Sequence, residues 1–101
     1  MANIDVEVSS GQITVNPDTV TSSVSSGEAF TWHSSSGSLA VEFTTSPFTP
    51  SPPYHADQGS STSPVHIVNS PSSVGRYKYT VKVTDGEGNQ FQQDPMVIVT
   101  G

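Results

Sequence analysis

From Arg76 to Thr84 the chain alternates without a break, with Tyr77, Tyr79, Val81 and Val83 on one side and Arg76, Lys78, Thr80, Lys82 and Thr84 on the other. An unbroken period of two predicts a strand with one buried face, and the glycine-rich stretch from Asp85 to Asn89 predicts a hairpin turn after it. Shorter alternations precede it. Ile4, Val6 and Val8 face inward between Asp5 and Glu7; Ile13 and Val15 follow a Ser10-Gly11 turn, and then come Val20 and Val24. Phe30 and Trp32 share a face after Ser26-Gly27; Leu39, Val41 and Phe43 share another beyond the Ser34 to Ser38 turn, followed by Val65 and Ile67. In the closing run from Met96 to Thr100, Val97 and Val99 lie opposite Met96 and Ile98. Seven to eight short strands, with turns about every eight to twelve residues and no helical segment between them, predict an all-β, Greek-key β-sandwich. A parallel sheet is excluded for want of crossover helices, so two antiparallel layers are expected. Trp32 is the largest packing group and is expected near the centre of the core, where its loss to Ala costs about 3–5 kcal/mol.

One domain over residues 1–101 fits this length. Its one long irregular segment, 46–63, is rich in proline and serine and interleaves Pro47, Pro50, Pro52 and Pro53 with Phe48, Tyr54 and His55. Loops of this length are usually functional or disordered. The prolines stiffen its first half, while the stretch from Asp57 to Ser63 reads as flexible.

Composition removes several function classes. Three basic residues face nine acidic ones, for a net charge of −6. A nucleic-acid surface needs a basic stripe that displaces counterions, and an anionic membrane needs the same, so neither partner is expected. No cysteine is present, which removes disulfides, thiolate nucleophiles and Cys-ligated zinc or copper. The N-terminal residues have neither a basic nor an apolar leader region, and no run approaches a membrane span. A cytoplasmic protein is expected from the sequence as written, or a periplasmic or extracellular one if a leader has been removed.

Ile13-Thr-Val-Asn-Pro17, Ser26-Gly-Glu-Ala-Phe-Thr-Trp32, Ala40-Val-Glu-Phe43, Gly75-Arg-Tyr-Lys-Tyr79 and Asp94-Pro-Met-Val-Ile-Val99 together resemble the cupredoxin family in order and spacing. The resemblance implies an eight-stranded Greek-key sandwich and, in redox members, a copper held by two His, a Cys and a Met. It sets the first His position close to Leu39, the Cys position at Val81, the second His position near Thr84 and the axial Met position close to Met96. A lone thioether cannot hold copper without imidazole or thiolate partners. The resemblance therefore implies a cupredoxin-like frame without the copper site. The stretch from Gly75 to Asn89 also resembles the last hairpin of immunoglobulin-like and polycystic-kidney-disease-type repeats, which implies the same two-sheet class.

Other chemistry is sparse. His33, His55 and His66 are possible zinc or copper ligands, but they lack local ligand spacing, and His33 and His66 sit on the outward sides of their strands. Asp85, Glu87 and Asn89 alternate with glycines as in a calcium loop, yet the terminal bidentate Glu is missing and a hairpin turn explains the same residues. Serines are abundant, but none lies in a Gly-x-Ser-x-Gly elbow. Arg76, Lys78 and Lys82 project from one strand face, where pairing with a neighbour such as Glu42 accounts for them better than an acidic partner does.

Phe48, Pro50, Pro53, Tyr54 and His55 form the preferred interaction surface, suited to a protein or carbohydrate partner. The opposing reading has Phe48 and Tyr54 tucked under the loop to close one end of the sandwich. The expected function is a non-enzymatic binding or structural module that is metal-free and needs no cofactor. The alternative is a metal-binding protein using His33, His55 or His66 outside the family's site, with a hydrolase third.

Overall fold

The computed structural model describes residues 2–101. Among them are eleven strands: β1 (Ala2–Ser9), β2 (Gln12–Asn16), β3 (Thr19–Ser23), β4 (Ala29–His33), β5 (Ser38–Phe43), β6 (Phe48–Thr49), β7 (Tyr54–Ala56), β8 (Val65–Ile67), β9 (Gly75–Thr84), β10 (Gln90–Gln93) and β11 (Met96–Thr100). A 3₁₀ turn at Pro71–Ser73 precedes β9. The strands form two sheets, ordered β2-β1-β4-β8-β6 and β3-β11-β9-β5-β7, with β10 also paired to β9. One apolar core lies between them, so the fold is the all-β sandwich that the alternation predicts.

Two expectations need correction. Eleven strands replace seven or eight, because β6 and β7 lie inside the segment read as irregular, and because polar β10 carries a single apolar residue, Phe91. Parallel pairing does occur: β1 runs parallel to β4, and β11 runs parallel to β3. Parallel neighbours need a crossover, usually a helix. Here the chain leaves β1 through β2, contributes β3 to the opposite sheet and returns as β4, so a strand of the other layer takes the helix's place.

Local sequence explains the hairpins. Ser10 and Gly11 have φ of 52° and 76°, the left-handed pair that a two-residue turn between right-twisted strands requires. That turn fixes Val6 opposite Val15 and Val8 opposite Ile13. After β9, the Asp85 carboxylate accepts the backbone N–H groups of Glu87 and Asn89, both at 2.9 Å, which closes the glycine-rich turn. The hairpin keeps one register from Thr84↔Gln90 to Gly75↔Val99. Pro95 has no N–H to give, so its arm divides into β10 and β11, while its carbonyl still accepts from Tyr79 N at 3.0 Å.

The core is built around Trp32, which is fully buried. Tyr54 stacks on the indole at 5.7 Å, while Phe48 and Tyr79 meet it edge-on, each at 5.8 Å. Trp32 Nε1 donates to the Tyr79 hydroxyl at 3.1 Å and so links β4 of one sheet to β9 of the other. The stretch from Asp57 to Ser63, read as flexible, is tied to the same strand: Thr62 is buried, its Oγ1 accepts from Trp32 N at 2.9 Å, and its own N–H donates to Trp32 O at 2.8 Å.

Burial pushes the Tyr79 phenol up to about 12, against the opposing Trp32 N–H bond and with the charge of Asp18 adding to the rise. A group whose folded value is raised stabilises below its unfolded value, about 10, and that contribution is lost as pH climbs through the folded one. Tyr79→Phe leaves the indole N–H without its acceptor and should cost about 1–3 kcal/mol at neutral pH. Urea denaturation across an alkaline series checks both points. The wild type should lose stability between about pH 10 and 12, and the variant should lose less there.

Candidate functional site

The expected contact residues of 46–63 separate into two groups. Phe48 (4 % exposed) and Tyr54 (8 % exposed) belong to the core, so the reading that tucks them under the loop is the correct one for both. The Tyr54 hydroxyl turns back to donate to Pro50 O at 2.6 Å. Pro50, Pro53 and His55 are exposed. The reason lies in the strand period: Tyr54 and His55 are neighbours on β7, so packing one ring against Trp32 points the other outward.

His55 opens onto a concavity of ≈ 510 Å³ on the outer side of β7, β5 and β9. Ala40 lines it with a small side chain, and His55, Asp57, Lys82 and several hydroxyls, among them Ser60 and Thr84, supply its polar groups. Lys82 Nζ is 3.1 Å from Glu42 Oε1, the cross-strand pairing expected for that cation. Among the described residues, no hydrogen bond joins His55 to Asp57 or to a serine.

The three histidines do not converge. His55 is in the second sheet, whereas His66 pairs with Ala29, four residues along β4 from His33 and hence roughly 13 Å away. His33 instead has partners that the sequence reading did not connect with it. The parallel register of β1 and β4 sets Asp5 beside His33, with Nδ1 3.6 Å from Asp5 Oδ1. Glu7 lies two residues further along the same outer face, and one ligand atom from each of Asp5, Glu7 and His33 lies within 4.8 Å of the others. Asp5 and Glu7 were legible as outward carboxylates on one strand; the parallel neighbour that supplies the imidazole was not.

The serines after β4 fix Glu7. Its Oε1 accepts from Ser35 Oγ and Ser36 Oγ, both at 2.8 Å, and from Ser35 N at 3.2 Å, while Oε2 has only the Ser35 N–H at 3.3 Å. Partial burial works to raise the Glu7 carboxyl, but the Ser36 and Ser35 hydrogen bonds and the nearby His33 together hold it below the ordinary carboxylate range. The Asp85 carboxylate, by contrast, is engaged by its own hairpin turn. No protein-family model matches the chain, and no curated protein matches it in sequence.

Because Phe48 and Tyr54 are core groups, Phe48→Ser and Tyr54→Ser should each destabilise the fold by several kcal/mol, about 3–5 for the loss of a buried ring. His55→Ala, at an exposed position, should stay within about 0.5 kcal/mol of wild type. Thermal melts of the three variants test the division.

Proposed function

We propose that this chain is a non-enzymatic binding module on a cupredoxin-like frame that lacks the family's copper site, and that it holds a polar segment of another protein in the concavity beside His55. The concavity carries the reading. It offers an imidazole at His55, a carboxylate at Asp57, hydroxyl groups and the Lys82 ammonium, which is shared with Glu42, all set around the small side chain of Ala40. Such an open, mixed polar surface suits the backbone amides and acidic side chains of a peptide. A carbohydrate is the weaker candidate, because the rings of Phe48 and Tyr54 that could stack on a sugar are buried.

The family reading draws support from the two-sheet architecture and from the donor chemistry at the family's ligand positions. Leu39 and Val81 are buried hydrocarbon side chains, and Thr84 offers only a hydroxyl. Met96 stands opposite Lys78, six residues along β9 from Thr84, a rise of roughly 20 Å. No imidazole or thiolate is supplied, so copper electron transfer lacks its ligands at these positions.

Amide chemical-shift mapping with pools of acidic and neutral peptides tests the proposal. Shifts should cluster at Ala40, Ala56, Ser60 and Thr84, and should disappear in the His55→Ala/Lys82→Gln double variant without loss of melting temperature. Shifts clustered on another face, or cleavage of the added peptide, would contradict it.

A further inference from the structure

We propose that Asp5, Glu7 and His33 form a binding site for a divalent transition-metal ion of zinc-like character on the outer face of β1 and β4. It is separate from the His55 concavity and from the positions of the family's copper.

The donor set comes first. One imidazole and two carboxylates converge from adjacent strands, with ligand atoms no more than 4.8 Å apart. A tetrahedral ion with bonds of about 2.0–2.1 Å needs donors about 3.3 Å from one another. The His33 Nδ1 to Asp5 Oδ1 separation of 3.6 Å is already near that value. The remaining closure falls to Asp5, whose side chain is 61 % exposed and so has solvent around it into which to turn. An imidazole nitrogen beside carboxylate oxygens suits zinc, nickel or copper(II). Calcium wants six to eight oxygens, and two carboxylates with an imidazole are too few and of the wrong kind.

Preorganisation and charge come second. Three donors hold Glu7 Oε1 and so orient the carboxylate, which leaves Oε2, with one long contact, to face an ion. Such outer partners are what fix ligands at metal centres. The carboxylates of Asp5 and Glu7 also share a sheet that contains no Lys or Arg, since Arg76, Lys78 and Lys82 all stand on β9 in the other layer. A divalent cation neutralises that paired negative charge. With three protein ligands on an open face, the fourth position falls to water or to a group from a partner.

Calorimetric titration of the full chain with zinc in a chelator-free buffer tests the site. One saturable event of unit stoichiometry is expected. His33→Ala and Asp5→Asn should each weaken it at least about tenfold, the lower end of what loss of even an outer partner costs. His55→Ala and His66→Ala should leave it unchanged. Asp5→Asn keeps the shape of its side chain at an exposed position, so it decides the matter if His33→Ala disturbs folding. Absence of a saturable event up to millimolar zinc, survival of binding in Asp5→Asn, or its loss in His55→Ala would overturn the proposal.

Discussion

The bond from Trp32 Nε1 to the Tyr79 hydroxyl is the contact on which the rest of the molecule hangs. An indole buried without an acceptor carries a desolvation cost of a few kcal/mol, which an oxygen presented at its edge by the opposite sheet removes. Tyr79 supplies it, and in doing so fixes where β9 lies over β4. Phe43 stacks on Tyr79 at 4.6 Å, and Tyr54 stacks on Trp32, so the polar link sits inside an aromatic cluster contributed by both sheets. Apolar burial holds the layers together without direction, and the Trp32–Tyr79 bond adds a directional link between them.

The consequences reach the surface. With Trp32 facing inward, His33 must face outward, and parallel pairing of β1 with β4 sets Asp5 against it. The chain then turns through Ser34, which is buried, and Ser35 and Ser36, whose hydroxyls reach Glu7. On the other layer, packing Tyr54 against Trp32 turns His55 out to the concavity over β5 and β9. Both candidate surfaces thus arise as the outer faces of strands whose inner faces are committed to the same indole.

Much of this was legible in the residues. The strand from Arg76 to Thr84, the Ser10-Gly11 and Asp85 to Asn89 turns, the burial of Trp32 and the pairing of Lys82 with Glu42 all follow from period two, turn chemistry and cross-strand charge. What stayed hidden was long-range pairing. Phe48 and Tyr54 lie among prolines, where composition signals a loop, yet each begins a short strand that the core recruits. β10 is paired through its backbone to a strong neighbour, so a mostly polar sequence suffices there. The parallel neighbours β1 and β4 are separated by two strands in the chain, and no local pattern reports which sheet those strands join. That gap concealed the meeting of Asp5, Glu7 and His33, although each was visible on an outward face.

The central claim, that one buried indole bond locks the two layers, is tested most directly by hydrogen exchange at the Trp32 Nε1–H, followed by nuclear magnetic resonance. If the bond is intact whenever the sandwich is folded, this proton should exchange only through global unfolding, as slowly as the best-protected amides of β9. Exchange much faster than that of the β9 amides would show that the indole reaches water while the sheets stay packed, and would contradict the account.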